Sequence, residues 1–220
     1  MRVRRASLIA GARTATGTAV IIDVFRAFTT AAFAIAAGAR DVVLVADHEQ
    51  AFALKAEDPD LFLTGEIGGR AIPGFDAANS PSVIQHLDLS GRRVVQRTSQ
   101  GTQCVVAATA ARHIVLGSLV IAGATLRHIR AIGDDVTLVP TSTTDPADGD
   151  EDLACAVYLE GHLVDGAAPQ PKIRLLGDED GWPDFFPRED ATLALQLDRF
   201  DFALPVTRED GLLIARPLTP

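Results

Sequence analysis

An alternation constrains this chain more than any single motif: short β-branched runs, each followed by an alanine-rich segment with helical spacing. Ala19 to Asp23 (AVIID) reads as a buried strand, Thr29 to Ala39 as a helix, Asp41 to Val45 (DVVLV) as a strand and Glu49 to Ala56 as a helix. Leu61 to Thr64, Arg93 to Gln96, His113 to Gly117 and Val136 to Pro140 continue the strands, and Gly101 to Ala111, Gly123 to Ile132 and Glu151 to Leu163 supply helices. Parallel strands need a crossover, usually a helix, so continuous apolar strands alternating with helices predict an α/β fold. The expected sheet is largely parallel but mixed, with helices on both faces in three α/β/α layers. FALPV and LLIA, separated by the polar TREDG, predict a C-terminal hairpin.

The chain has 220 residues, of which 47% are hydrophobic, enough for one substantial core, and a single domain over 1–220 is expected. The longest apolar runs are broken by Asp23, Arg26 and Arg40, so no membrane span is expected. The opening MRVRR has the charge of a signal n-region, but the apolar piece after it, Ser7 to Ala12, is short and meets Arg13 at once. Cys104 and Cys155 sit far apart in alanine-rich segments, which suits reduced, buried thiols and a cytoplasmic location. A net charge of −9 repels a nucleic-acid backbone. It does not exclude a small anion, because contacts within a few ångströms outweigh a field screened over ~8 Å. A homo-oligomer is compatible with the sequence.

Ligands of open α/β sheets bind beyond the carboxyl ends of the strands, and that rule selects four segments. Asp23 ends the first strand with Arg26 three residues on, placing a carboxylate and an anion-binding fork at the sheet rim. Asp23 paired with Arg26 as a helix cap is the structural alternative, although Thr29 is the better-placed cap. Glu66 follows the third strand within Thr64 to Arg70 (TGEIGGR), where it can ligate a hard cation beside Asp23 or merely sit in a glycine turn, and Asn79 or Ser80 can cap the next helix. Arg97, Thr98, Ser99, Gln100, Gly101 and Thr102 open an alanine-rich helix, a place for anion binding or for ordinary capping. Glu151 and Asp152 begin a later helix, where acidic residues complement the dipole, complete a magnesium site or act as general acid.

Other phosphatase and hydrolase signatures are missing: no second Asp two residues after Asp23, no Cys-x5-Arg loop, no GxSxG, HExxH or P-loop. Two stretches break the periodicity. Thr141 to Asp150 reads as a surface loop, and Gly177 to Asp190 (GDEDGWPDFFPRED) as an active-site flap or an insertion.

In order along the chain, these segments resemble the 2-phosphosulfolactate phosphatase family of coenzyme M biosynthesis. The resemblance rests on VIIDVFRAFTTAAFAIAAGA, TGEIGGRAIPGFDAANSP, RTSQGT, VLGSL and DEDLACA, and spans about residues 19 to 165. It implies a magnesium-dependent phosphatase of (R)-2-phospho-3-sulfolactate and points to Asp23, Arg26, Glu66, Asn79, Ser80, Thr98, Gly101, Thr102, Ser118, Glu151 and Asp152. Gln100 stands where the family usually has Asn, Arg97 where Thr is common, and the C-terminal third lacks a Ser-His-Gly stretch. These departures fall where substrate is read. The expected mechanism holds Mg²⁺ with Asp23 and Glu66, helped by Asp152, while Arg26 and the Thr98 to Thr102 turn bind the remaining phosphate charge. A catalytically silent relative that binds a small anion is the alternative.

Overall fold

The computed structural model describes residues 1–142, 151–173 and 183–219. The expected loop beyond Ser142 and the Gly177 to Trp182 part of the acidic segment lie outside the described residues. In chain order the elements begin β1 (Val3–Arg5), α1 (Leu8–Thr14), β2 (Thr18–Ile22), α2 (Ala27–Ala36), β3 (Asp41–Val45) and α3 (His48–Glu57). They continue with β4 (Phe62–Ile67), β5 (Arg70–Ala71), β6 (Ala77–Ala78), α4 (Pro81–Ile84), β7 (Arg93–Arg97), α5 (Gly101–Ala107) and β8 (His113–Gly117). After a 3-10 turn at Leu119–Ile121 come α6 (Ala122–Ile132), β9 (Val136–Pro140), α7 (Glu151–Val164), α8 (Arg188–Ala194), β10 (Leu204–Glu209) and β11 (Leu212–Ala215).

The fold is α/β, with one mostly parallel mixed sheet in the order β1-β9-β2-β8-β10-β11-β3-β7-β4-β5 and β6 beside β4. The expected hairpin forms, with Val206 opposite Ala215. Its position differs from a terminal appendage: β10 pairs antiparallel with β8, and β11 antiparallel with β3, so the last strands join the two parallel groups. Several elements went unread in the sequence, among them β1, α1 and α8. MRVRR forms an edge strand, with β1 parallel to β9, and the apolar piece after it forms α1.

Three successive antiparallel pairings make β3 run opposite to β8 along the ladder. The carboxyl ends of both groups meet all the same: Gly101, after β7, lies so near Asp23, after β2, that an added Cβ would sit 2.7 Å from Asp23 Oδ2. The sheet must therefore curl over, as the twist accumulated through the hairpin allows. The packing agrees. On one face a continuous core runs from Ile21 and Val139 through Leu116, Leu204 and Ala215 to Val42 and Val94, against α2 and α5. The other face divides into two cores, one of Val20, Ile22, Leu138 and Leu126 against Cys155 and Leu159 of α7, the other of Val43, Val95 and Ile214 against Ala51 of α3. A curled sheet has one inside and a divided outside, with helices on each. No helix among the described residues is long and apolar enough to cross a membrane. Cys104 and Cys155 are both buried and free.

Candidate active site

Asp23 leaves β2 with its backbone N–H donated to the Gly117 carbonyl at 3.1 Å, which fixes where its side chain starts. Its Oδ1 accepts the Ala27 N–H at 2.9 Å, so Asp23 caps α2 in place of Thr29. The Thr29 hydroxyl instead donates to the Val24 carbonyl and lies 2.7 Å from Ser118 Oγ. Ser118 is thereby held behind the strand end, fully buried.

Asp152, in the first turn of α7, reaches the same place. Its Oδ1 accepts the Val24 N–H at 2.7 Å and its Oδ2 accepts the Thr141 hydroxyl at 2.8 Å. Burial pushes the Asp23 carboxyl up to about 6, against the Ala27 hydrogen bond and with the Glu66 charge adding to the rise. Asp152 is raised well above the carboxylate range by burial first, then by the charges of Asp23 and Glu151.

Glu66 faces Asp23 from β4 but is firmly anchored. Its Oε1 accepts the Ser99 N–H at 2.5 Å, and its Oε2 accepts the Gly69 N–H at 2.6 Å and the Ser99 hydroxyl at 3.0 Å. It thus ties the glycine loop to the turn between β7 and α5. Arg97 braces the same junction from behind, donating from Nε to the Ala46 carbonyl at 3.1 Å and from Nη1 to the Glu66 carbonyl at 2.8 Å. Thr98 and Thr102 cap each other: the Thr98 N–H donates to Thr102 Oγ1 at 2.9 Å and the Thr102 N–H to Thr98 Oγ1 at 3.0 Å. Gly101 lies close against Asp23, 2.7 Å from Oδ2 for an added Cβ. Most donors of the expected anion turn are therefore engaged in holding protein carboxylates and the helix start.

Arg26 is 5% exposed and its Nη1 donates to Asp190 Oδ2 at 2.8 Å. Nη1 also approaches the Phe185 carbonyl at 3.4 Å, Nη2 donates to the Gly69 carbonyl at 3.0 Å, and the guanidinium lies 4.6 Å from the Phe186 ring centroid. Ser80 is directed to Asp190 as well, donating to Oδ1 at 2.8 Å. Asn79 is oriented by Gln96, whose Nε2 donates to the Ala27 carbonyl at 2.7 Å and to Asn79 Oδ1 at 3.2 Å. With its oxygen engaged there, Asn79 has its amide N–H groups to offer elsewhere.

The cavity so formed holds about 340 Å³ and is lined by Asp23, Glu66, Glu151 and Asp152, by Arg26 and Asn79, and by Ser99, Gln100 and Thr141. The first three of Asp23, Glu66, Asp152 and Thr98 share this wall, while Thr98 lies behind it through its bonds to Thr102. Arg97, Ser80, Gly101, Thr102 and Ser118 likewise do not line it. Asp190, the buried partner of Arg26, is the residue of this cluster that sequence reasoning missed. The only signal was its place just before an apolar ATLALQL stretch, at the end of an aperiodic acidic segment.

Four carboxylates and one guanidinium among the described residues line the cavity, and that guanidinium is already paired with Asp190. The buried carboxylates of Asp23, Glu66 and Asp152, gathered on one wall, suit a hard divalent cation. Among the described residues no three His, Cys, Asp or Glu side chains converge at metal-binding spacing. Magnesium commonly takes only one or two carboxylates and completes its shell with water and phosphate oxygens, and Asp23 with Asp152 fits that pattern.

Comparison with known proteins identifies the family. Residues 5–179 match the family model described as 2-phosphosulpholactate phosphatase. The chain is 35% identical over 147 residues to a probable 2-phosphosulfolactate phosphatase of Bacillus subtilis (strain 168), covering 67% of this chain and 64% of that protein. Proteins with the same description from Deinococcus radiodurans and Carboxydothermus hydrogenoformans are 40% identical over 147 residues and 38% identical over 156 residues. Those alignments cover 66% and 71% of this chain, and 61% and 63% of the relatives, so the match spans less than two thirds of each relative's length.

Proposed function

We propose that this chain, which belongs to the 2-phosphosulpholactate phosphatase family, hydrolyses 2-phospho-3-sulfolactate or a similar small phosphorylated hydroxy acid to the hydroxy acid and inorganic phosphate, with Mg²⁺ as cofactor. The observation that carries the reading is the joining, in one cavity of about 340 Å³, of buried like-charged carboxylates with the donors of Arg26 and Asn79. A protein keeps buried carboxylates with raised pKa values where chemistry uses them.

Asp23 and Asp152 hold the cation, with Glu151 beside them, and Glu66 adds negative charge while anchoring the loop. Bound there, magnesium supplies Lewis-acid polarisation of the phosphoryl oxygens. Arg26 and Asn79 bind the remaining anionic oxygens and orient the ester. Water attacks phosphorus and the P–O ester bond breaks; one proton of the water stays on the phosphate, and the other passes by way of the Glu151 carboxylate to the departing alkoxide. Asp23 is held by the N–H of Ala27 and hemmed in by Gly101, which suits a fixed anion better than a nucleophile that must turn to attack. An acid quench during turnover is expected to trap no phosphoaspartate.

The test is phosphate release from 2-phosphosulfolactate and phospholactate, each with and without Mg²⁺. Hydrolysis of the sulfonate-bearing phosphate ester with Mg²⁺ is expected, with discrimination against the analogue that leaves donors unpaired. Binding without release from any ester identifies instead a silent anion-binding relative. The two free, buried thiols support a cytoplasmic location.

A further inference from the structure

We infer that Asp190 is a positioning residue of the anion-binding wall: it fixes the Arg26 guanidinium so that the remaining donors of Arg26 face the cavity. The inference rests on reading that cavity as a phosphate-ester site. Asp190 is fully buried, and its two oxygens are divided between two tasks. Oδ1 accepts the Ser82 N–H at 2.9 Å, the Ser82 hydroxyl at 2.6 Å and the Ser80 hydroxyl at 2.8 Å, which locks the carboxylate to the start of α4. Oδ2 is then aimed at Arg26 Nη1, 2.8 Å away.

A carboxylate removed from water without a cation, or a guanidinium without an anion, is strongly disfavoured, so each group requires the other. The other partners of Arg26 complete the clamp: the carbonyls of Phe185 and Gly69 and the face of Phe186. Of five guanidinium N–H groups, Nε–H and one on Nη2 take no protein acceptor among the described residues. Those two are enough for a two-point contact with a phosphate, sulfonate or carboxylate oxygen pair. Asp190 also lies beyond residues 5–179, the stretch that matches the family model, so the buried partner of a cavity-lining arginine comes from outside the matched region.

Asp190→Asn keeps an oxygen for Ser80 and Ser82 but turns an N–H₂ toward the guanidinium, donor against donor. Calorimetric binding of inorganic phosphate, which needs no turnover, is expected to weaken about tenfold or more, as for the loss of a charge-assisted contact worth about 1.4 kcal/mol. KM for the phosphorylated ester is expected to rise more than kcat falls. In an Arg26→Gln background the same Asp190→Asn change is expected to alter phosphate affinity less than twofold, because its effect passes through Arg26. Should Asp190→Asn not fold, Phe186→Leu, which removes the ring under the guanidinium, is expected to weaken phosphate binding severalfold.

Folded variants that keep wild-type phosphate affinity, or effects of Asp190→Asn and Arg26→Gln that simply add, overturn the inference. If the wild type binds phosphate in an Asp190-dependent way yet cleaves no ester, the phosphatase reading falls and the positioning role stands. If it cleaves the ester and Asp190→Asn leaves affinity and KM unchanged, the reading stands and the role falls. A wild type that neither binds phosphate nor cleaves any ester removes both.

Discussion

Asp152 accepts the backbone N–H of Val24 at 2.7 Å, and that one bond brings the carboxylate of α7 to the side of Asp23. The two carboxyl groups are buried together, and after burial itself the Asp23 charge raises Asp152 further while the Glu66 charge does the same to Asp23. An arrangement so unfavourable in the free protein is the kind retained for a ligand that relieves it.

Asp152→Asn is expected to separate stability from function. The amide keeps an acceptor for Val24 and a partner for Thr141, while one buried negative charge disappears. Without Mg²⁺ the variant is expected to melt at a higher temperature than wild type, and to lose activity by ~10² to 10³ in kcat. Thermal unfolding and a phosphate-release assay on the same preparation check both.

The raised Asp23 carboxyl gives a signed pH dependence. Its ordinary value of 3.8 becomes about 6 in the folded chain, so between those values the unfolded chain loses its proton first. The group therefore stabilises the fold fully below about pH 4, and that stability is lost as pH rises through about 6, a change of roughly 2–3 kcal/mol. Denaturant titrations of wild type and Asp23→Asn from pH 4 to 7 without Mg²⁺ are expected to show wild type falling progressively below the variant. Saturating Mg²⁺ is expected to reverse the trend. A difference that stays constant with pH contradicts the assignment.

Gly101 has no room for a side chain. A Cβ there meets Asp23 Oδ2 at 2.7 Å and the Ala27 Cβ at 2.9 Å, so Gly101→Ala must displace the carboxylate or the start of α5. A destabilisation of ~1–3 kcal/mol is expected, together with weakened Mg²⁺ binding, measurable by calorimetry.

Arg97 is expected to behave as a brace. Arg97→Met leaves the Ala46 and Glu66 carbonyls without its N–H groups, lowering stability by ~1–3 kcal/mol while moving KM less than twofold. A large KM change in a stable Arg97→Met protein returns Arg97 to the substrate site.

Much of this arrangement is legible in the chain because strand ends are local features. DVVLV, HIVLG and VTLVP form strands with the bounds their apolar runs suggest, and the residues following β2 and β4 do reach one cavity. What stays hidden is partnership. A period of two marks a strand without naming its neighbours, so nothing in LLIA tells that β11 lies against β3. Thr29 carries the usual capping chemistry, yet Asp23 caps α2 because Thr29 finds Val24 and Ser118 in the folded chain. Asp190 is illegible for the same reason: its importance lies in Arg26, Ser80 and Ser82, all distant in sequence.

Phosphate release from 2-phosphosulfolactate, followed in wild type and in Asp23→Asn as Mg²⁺ is added back to chelator-treated protein, tests the centre of this account. Release that rises saturably with Mg²⁺ in wild type and stays at least ~10²-fold lower in Asp23→Asn is the expected result. Wild-type protein that releases nothing at any Mg²⁺ concentration, or an Asp23→Asn protein that matches it, contradicts the account.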